Sequence, residues 1–293
     1  MRTVFLAAIT ALVPLSAHSQ QKVDVRRAAA PTVSVRLNGA LGNVRVIGWD
    51  RDSIALSGSL AAGSRLEGGS LDAQGPVTGM KFYVEAADQA ERGNKLELRV
   101  PKNARVWIKS GSADVDVSAV TGGLDLNIVG GSVHVTGAPR ELVVESMDGS
   151  VTFNGTADYA RFKTATGDIT MQGGGDDISL ASISGNITVP DGNVRRGRFE
   201  SVTGSITYVG TVARGGEARF DTHSGSIELR LVANANAEID AATITGTIEN
   251  GLTSRRPSVG REGRGMELYA SSGTGGARVQ IRSFKGNVKL AVR

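Results

Sequence analysis

A short segment built around one glycine recurs along most of the chain, and it constrains the fold more than any other feature. "TATGDITMQG" at 164–173 is followed by "SISGNITVPDG" at 182–192 and by "SVTGSITYVG" at 201–210. Most of the recurring glycines are 18 to 21 residues apart, and the last two are 40 apart. They are Gly111, Gly131, Gly149, Gly167, Gly185, Gly204, Gly225, Gly246 and Gly286. A repeat of this period indicates that each copy is one structural unit that stacks on the next.

Apolar residues stand at fixed offsets from each glycine. Around Gly167 they are Phe162, five residues before it, and Ile169 and Met171, two and four residues after it. Polar residues fill the alternate positions, as expected for a strand with one buried face. Each copy is therefore predicted to contain two strands joined at a glycine corner, with Phe162 buried and Thr170 exposed.

Serine or threonine stands three residues before most of the glycines. These residues are Ser146, Thr164, Ser182, Ser201, Thr222, Thr243 and Ser283. Glycine suits the corner because it allows positive φ or a close approach of two backbones, and the hydroxyl column is expected inside the coil or at this corner. The sequence predicts an all-β, single-domain β-solenoid, similar to a parallel β-helix, with coils of about 18–21 residues stacked at about 4.8 Å. A propeller, which needs about 40 residues per blade, and a sandwich fit this register less well.

The N-terminal region departs from the regular pattern. "VRLNGALGNVRVIGWD" at 35–50 repeats the offsets of the later copies around Gly42, but the segments that follow do not. Residues 20–30 are expected to form a tail, and residues 31–103 a diverged part of the same sheet system that caps one end. Such atypical terminal coils protect the open edges of a solenoid.

The regular coils are expected over 104–293, with a cap at the C-terminal end. Residues 252–264 read as a polar loop that interrupts the repeat. The segments "MELYA" and "ARVQIRSF" flank "SSGTGG" and are predicted to pair as a β-hairpin before the last copy.

Residues 1–19 are typical of a secretory signal peptide. Arg2 precedes the apolar run "VFLAAITALVPL", which is too short to span a bilayer comfortably, and Ala17-His18-Ser19 forms a small-x-small cleavage site. An uncleaved anchor is the alternative, and Pro14 favours cleavage. We therefore expect an exported protein, periplasmic or at the cell surface, with no membrane-spanning segment in the mature chain. The chain has no cysteine, so it contains neither a disulfide nor a lipobox.

Two arginine clusters are the candidate binding residues. The formal net charge of +4 is mild and does not indicate nucleic acid as a partner. The clusters are expected in two loops between coils and consist of Arg195, Arg196 and Arg198, and of Arg255, Arg256, Arg261 and Arg264. Guanidinium groups pair well with carboxylate and phosphate. The sequence therefore suggests an anionic envelope polysaccharide, or another envelope protein, as the partner; solvated loop charge is the simpler alternative.

No motif points to a catalytic, cofactor or metal site. The chain lacks a G-x-S-x-G elbow and an H-E-x-x-H motif, and "GGGDD" at 173–177 is a single copy of a calcium repeat that needs tandem copies. His134 and His223 are expected to be solvated. Asp114 and Asp116 share one strand face and are the carboxylates that a glycan-active enzyme, a polysaccharide lyase or hydrolase, would use. This enzyme is the alternative to a non-enzymatic module.

The order of these segments resembles a known family. "GNVRVIGWD" at 42–50, "LELRVPKNARVWIKSGSADVDV" at 96–117 and the glycine-centred copies that follow are similar to the DUF4097 family of adhesin-like bacterial β-strand repeat proteins. The resemblance implies an exported or envelope-associated β-repeat protein, and it supplies no catalytic residues. The expected function is an exported, non-enzymatic, adhesin-like binding or structural module of the cell envelope.

Overall fold

The computed structural model of the chain describes residues 21–69, 75–86, 90–260 and 263–293. The regular structure of these residues is β-strand, with one 3₁₀ turn at Ala90–Gly93 and no α-helix. The prediction of an all-β solenoid is confirmed. Within the described ranges, no helix is long and apolar enough to cross a membrane. The predicted signal peptide at 1–19 and Arg261 lie outside the described residues.

The described residues form 21 strands. The N-terminal strands are β1 (Gln21–Gly39), β2 (Gly42–Trp49), β3 (Ser53–Leu60), β4 (Ser64–Gly68), β5 (Val77–Ala86), β6 (Lys95–Pro101) and β7 (Arg105–Ser118). The central strands are β8 (Gly123–Gly130), β9 (Val133–Gly137), β10 (Glu141–Ser146), β11 (Val151–Thr164), β12 (Ile169–Ser182), β13 (Ile187–Ser201) and β14 (Ile206–Thr222). The C-terminal strands are β15 (Ile227–Leu231), β16 (Ala237–Thr243), β17 (Ile248–Asn250), β18 (Ser258–Val259), β19 (Met266–Ser272), β20 (Ala277–Ser283) and β21 (Val288–Val292).

Parallel pairing stacks each coil on the next one. Each coil has an arm A, which precedes its corner glycine, and an arm B, which follows it; around Gly167 these are Tyr159–Thr164 and Ile169–Gly175. Arm A pairs with the arm A of the next coil, and arm B with the next arm B. In the central coils a single long strand continues from one arm B into the following arm A. Equivalent residues of successive coils therefore form columns along the stack.

The inward columns form one continuous apolar core. Phe162 is buried as predicted, and its ring meets Phe153 edge to face at a centroid distance of 5.9 Å. Further along, Phe199 stacks on Phe220 at 4.8 Å. Burial raises the pKa of Tyr208, whose hydroxyl donates a hydrogen bond of 2.6 Å to the Thr211 carbonyl oxygen. The outward side chains also shield one another: Thr170, predicted to be exposed, is half-buried because it stacks between its neighbours in the column.

The corner glycines touch one another through the backbone. A methyl group at Gly185 would lie 2.1 Å from the Gly167 carbonyl oxygen, and one at Gly204 would lie 2.0 Å from the Gly185 carbonyl oxygen. Neither Gly185 nor Gly204 has a positive φ. Of the two reasons for glycine that the sequence suggested, close backbone approach is the one that applies at these corners.

The Ser/Thr column lies at this corner and is buried. The Ser201 hydroxyl accepts a hydrogen bond of 3.0 Å from the Gly204 amide, and Ser182 and Thr222 do the same for Gly185 and Gly225. These three hydroxyls thus satisfy amides that the turn leaves without a strand partner, whereas the Thr164 hydroxyl donates to the Gly167 carbonyl oxygen.

The predicted glycine column is wrong at its first member. Gly131 approaches the carbonyl oxygen of Ala113, and Leu126 pairs with Ile108, so the repeat around Gly111 is displaced by two residues. A shift of two leaves every side chain on its original face. This is why the predicted burial of Val106, Ala113 and Val115 still holds.

The coils do not stack in sequence order at the two ends. The last coil, β20 and β21, lies between the coil of β14 and β15 and the coil of β16 and β17. At the other end β1 and β2 lie between β7 on one side and β5 and β6 on the other. The first and last repeats are therefore internal coils, and their neighbours in sequence form the ends of the stack.

Two predictions about the ends need correction. "MELYA" and "ARVQIRSF" do not pair with each other, because β16 lies between them, antiparallel to β19 and parallel to β20. Residues 21–30 are not a tail but part of β1, whose first half pairs antiparallel with β3. In both places the segment pairs with a strand that is distant in sequence: β19 with β16, and the first half of β1 with β3.

The corner contact predicts a large difference between two glycine-to-alanine substitutions. The methyl group of Gly185→Ala would push the backbone at this corner away from the backbone at Gly167. The substitution is expected to lower the free energy of unfolding by about 2–4 kcal/mol. Gly111→Ala is the matched control, because a methyl group there meets nothing within 4 Å, and it should change stability by less than about 0.5 kcal/mol. Urea unfolding measures both, and equal effects would contradict the backbone contact.

Candidate binding surface

The first predicted arginine cluster lies on a strand and not in a loop. Arg195, Arg196 and Arg198 belong to β13, which keeps its pairing as it bends from arm B into arm A. The prediction of a loop was wrong because the insertion of residues relative to the preceding coil is absorbed by register shifts inside the strand pair.

Each arginine of this cluster already has a carboxylate partner. Arg195 lies 3.3 Å from Asp176, and Arg196 lies 3.2 Å from Asp177, both on the preceding coil. Arg198 lies 2.6 Å from Glu200, and this pairing raises the pKa of the Arg198 guanidinium. The pairs are exposed and individually weak, but an anionic partner would have to compete with them.

The second predicted cluster lies at the C-terminal end. Arg255, Arg256 and Arg264 are exposed and lie between β17 and β19. The Arg255 carbonyl oxygen accepts a 2.7 Å hydrogen bond from the Asn250 side chain, which holds this backbone against the end of β17. Within the described residues, none of these three guanidinium groups forms an ion pair.

A third group of arginines surrounds a gap in the outward face of arm A. One column of this face runs through Arg105, Gly123, Glu141 and Tyr159 on successive coils. Gly123 contributes no side chain, and a depression of about 560 Å³ lies over it. We call this depression the Gly123 pocket; it is lined by Arg105, Gly122, Gly123, Arg140, Glu141, Val143, Tyr159 and Arg161.

The Gly123 pocket has unbalanced positive charge. The Arg105 side chain lies across Gly123, with its Cγ 3.4 Å from the position that a methyl group at Gly123 would take. Its guanidinium is only loosely paired, 3.7 Å from Glu141. Arg140 and Arg161 form no ion pair with any described residue. Three guanidinium groups therefore face one carboxylate.

Aromatic and acidic groups border the pocket on the Arg105 side. Trp107 is half-buried, takes the Arg36 guanidinium over its ring at 5.4 Å, and is in register with Asp125 on the next coil. Partial burial raises the pKa of Asp125, and the nearby charges of Glu145 and Glu141 raise it further. These carboxylates make the Arg105 side of the pocket more acidic than the side of Arg140 and Arg161.

The candidate catalytic carboxylates lie on the outward face of arm B. Asp116 is in register with His134 and Arg45, and together with Glu97 they border a depression of about 820 Å³. Asp114 in the same depression is engaged through one of its carboxylate oxygens. It accepts hydrogen bonds of 2.9 and 2.7 Å from the amide and hydroxyl of Ser132, which lower its pKa.

The contacts of Asp114 repeat along the stack. In the same column Asp168 accepts a 2.7 Å bond from the Asn186 amide, and Asn186 accepts a 3.0 Å bond from the Ser205 amide. The Asp114 contacts are therefore part of the coil-to-coil scaffold. Among the described residues, no group of three or more acidic or histidine side chains could hold a metal ion.

Sequence reasoning missed the Gly123 pocket because its residues are far apart in the chain. The signal was present: Arg105, Gly123, Glu141 and Tyr159 are each 18 residues apart. The same interval, applied to the outward positions, places these residues in one column.

Residues 36–291 match the family model described as Toastrack DUF4097, and the chain belongs to this family. The resemblance that the sequence suggested is thereby confirmed. No curated protein matches the sequence.

Two solved structures match over most of the chain. A "putative adhesin" from Bacteroides fragilis is 12% identical, with 93% of this chain and 98% of that one covered and a TM-score of 0.44. A "putative cell adhesion protein" from Clostridium sporogenes is 9% identical, with 94% and 99% covered and a TM-score of 0.22. The family assignment depends on the sequence match.

The Ser132 contacts predict the titration of Asp114. Its lowered pKa means that the contacts stabilise the fold above the ordinary pKa of an aspartate, and that this contribution is lost as the pH falls through the lowered value. Replacing the exposed Ser132 by alanine removes the hydroxyl donor and should raise the Asp114 pKa toward its ordinary value. Carboxyl NMR titration of the wild type and the variant measures this. An unchanged Asp114 pKa in the variant would contradict the assignment.

Proposed function

We propose that the protein is an exported, non-enzymatic binding module of the bacterial envelope that holds an anionic polymer on the arm A face. Export is supported by the signal-peptide pattern of residues 1–19. The binding role is supported by the Gly123 pocket, where Arg140 and Arg161 have no ion-pair partner among the described residues. Unpaired guanidinium groups around a concave gap are suited to a carboxylate or a phosphate.

The pocket has the size and lining of a sugar site. Its volume of about 560 Å³ lies within the range of small-molecule sites, roughly 300–1,000 Å³. The Tyr159 ring and Val143 provide apolar surface beside the charged groups. An acidic sugar could place its ring against this surface and its anionic group among the arginines.

The arm A face favours a polymer over a single small molecule. Arg161 of the pocket belongs to the column that continues through Ser179 to Arg198 and Arg219. Arg198 is thus two coils, about 10 Å, from the pocket, so a chain with repeated negative charges can meet guanidinium groups at several points. Arg195 and Arg196 on the same coil, and Arg255, Arg256 and Arg264 at the end of the stack, are proposed as secondary contacts. Arg261, which lies outside the described residues, is proposed with them from the sequence alone.

The alternative function is a glycan-active enzyme. The depression that gathers Asp116, His134, Arg45 and Glu97 favours it, and the engagement of Asp114 by Ser132 opposes it. The two functions differ in one measurement. An enzyme would release new reducing ends or unsaturated sugars from an acidic polysaccharide, and Asp116→Asn would abolish the release. We expect no release above the level of a boiled sample.

The binding prediction is tested with polygalacturonate as a carboxylate polymer, poly(glycerol phosphate) as a phosphate polymer and dextran as a neutral one. The protein should bind at least one anionic polymer, more weakly as salt rises, because the screening length is about 8 Å at physiological ionic strength. Arg140→Gln with Arg161→Gln should weaken binding at least tenfold, since each charge-assisted contact contributes about 1.5 kcal/mol or more.

Two controls separate the pocket from general electrostatics. Arg195→Gln with Arg196→Gln removes the same charge from paired arginines and should weaken binding less than about threefold. Gly123→Thr fills the pocket without changing charge and should weaken binding as much as the pocket arginines do, with little change in melting temperature. Equal losses in both arginine pairs, normal binding by Gly123→Thr, or no binding to either anionic polymer would each contradict the proposed site.

A further inference from the structure

An exposed row of mostly apolar side chains runs along the glycine corner. The residue two positions before each corner glycine points outward, and the corner hydrogen bonds stack these residues coil on coil. We call this row the corner ridge; in stack order it is Val129, Met147, Ala165, Ile183, Val202, His223, Phe284 and Ile244. Its Val, Ile, Met and Phe side chains are 45–58% exposed. The His223 and Phe284 rings stack at 4.9 Å.

The ridge is unlike the rest of the outward surface. The outward columns of arm A and arm B consist mainly of charged, hydroxyl and amide side chains. Seven steps of about 4.8 Å give the ridge a length of about 34 Å. A continuous exposed apolar strip of this kind marks an interaction surface.

Two polar columns border the ridge, and their charges are not uniform along the stack. The inner flank, on the arm A side, is Asn127, Glu145, Lys163, Ala181, Glu200, Asp221, Arg282 and Ala242 in stack order. The outer flank is Gly130, Asp148, Thr166, Ser184, Thr203, Ser224, Lys285 and Thr245. On the coil of Met147 both flanks have an acidic residue, Glu145 and Asp148. On the coil of Phe284 both have a basic residue, Arg282 and Lys285.

We propose that the corner ridge binds the corner ridge of a second copy in antiparallel orientation. The two-fold axis then crosses the ridges between the coils of Ile183 and Val202. The inner flank of one copy then faces the inner flank of the other copy, and the two outer flanks face each other. On the inner flank Glu145 meets Arg282, and Lys163 meets Asp221. On the outer flank Asp148 meets Lys285.

The apolar residues match in the same register. Met147 faces Phe284, Ile183 faces Val202, and the small Ala165 faces the larger His223. The remaining pair, Val129 and Ile244, closes the two ends of the strip. One register therefore pairs Glu145, Asp148 and Lys163 with opposite charges and matches the sizes along the ridge. Glu200, which faces Ala181 beside the axis, keeps Arg198 of its own copy as its partner.

A parallel pair of ridges would bring like charges together. A two-fold axis along the stack would bring the inner flank of each coil against the outer flank of the same coil. Glu145 would then meet Asp148, and Arg282 would meet Lys285. Like charges at both places select against this arrangement.

The contacts inside one chain indicate which charged pair is most informative. Arg282 pairs with Asp240, and Asp221 pairs with Arg219, so both are already engaged. Asp148 and Lys285 form no ion pair with any described residue. The Asp148–Lys285 contact should therefore contribute most to the orientation of the dimer.

The dimer is expected to be weak and to leave the arm A faces open. A strip about 34 Å long and about 10–15 Å wide buries less than the roughly 1,200 Å² of stable interfaces, which indicates micromolar or weaker affinity. The two-fold axis is perpendicular to the ridge and keeps the two inner flanks together. The arm A faces of the two copies therefore lie on the same side of the dimer. If each binds polymer there, the pair gains from bivalent attachment.

Sedimentation equilibrium up to several hundred micromolar should show a monomer–dimer equilibrium. Ile183→Asp brings two buried charges close to the axis and should make the protein monomeric. Asn186→Asp, which adds the same charge on the arm B face, should dimerise like the wild type. Asp148→Lys and Lys285→Asp should each weaken the dimer at least threefold, and the double exchange should restore it. A monomer at every concentration, or dimers unaffected by Ile183→Asp, would overturn the proposal.

The absence of cysteine makes the orientation directly testable. Met147→Cys and Phe284→Cys are prepared as two separate proteins and oxidised alone and as a mixture. The antiparallel ridge predicts a disulfide-linked dimer in the mixture only, because Met147 and its copy would be about 24 Å apart. Cross-linking of each variant with itself would indicate the parallel arrangement, and no cross-linking in the mixture would exclude the register. Either result contradicts the proposal.

Discussion

The structure depends on the close contact between corner glycines of successive coils. At Gly167, Gly185 and Gly204 the backbone of one coil lies against the carbonyl oxygen of the coil before it, and no side chain larger than hydrogen fits between them. This contact holds the corner in the same place in every coil. All other positions, counted from the corner, then fall into straight columns, which is why Phe162 and Phe199 are both buried and Met147 and Ile183 are both exposed.

Column geometry also explains the distribution of charge on the arm A face. A side chain on this face can pair with a residue two positions away on its own strand, as Arg198 does with Glu200, or with a residue of a neighbouring coil, 18–21 positions away. Arg195 and Arg196 meet Asp176 and Asp177 of the preceding coil. The Gly123 pocket differs because one position of the column has no side chain, and the surrounding guanidinium groups then face a gap.

Antiparallel strands cover the coils at the two ends of the stack. A parallel coil at the end would present unpaired amides and carbonyls to other chains. Here the terminal coils receive antiparallel strands, β19 on β16 and β3 on β6. Association through the ends of the stack is thereby discouraged. The exposed apolar surface is concentrated along its side, at the corner ridge.

The class of fold, the period of the coil and the buried face of the repeat strands could be predicted from the order of the amino acids alone. These follow from local rules: alternation with a period of two decides which side chains point inward, and a glycine at fixed intervals decides where the chain turns. Even the misassigned Gly111 did not change the predicted faces, because an error of two residues preserves the alternation.

Long-range packing sets which coils are neighbours and which residues form a site. Nothing local distinguishes the copy at Gly286 from the others, yet it lies between the copies at Gly225 and Gly246, because strand partners are chosen by long-range pairing. The same applies to the arginines. The sequence showed Arg195 and Arg196 as a cluster, whereas the fold gave them acidic partners and left Arg140 and Arg161 without any among the described residues. The physical reason is that strand pairing, and with it part of the charge balance, involves residues of other coils, and the register between those coils is fixed only when the strands pair.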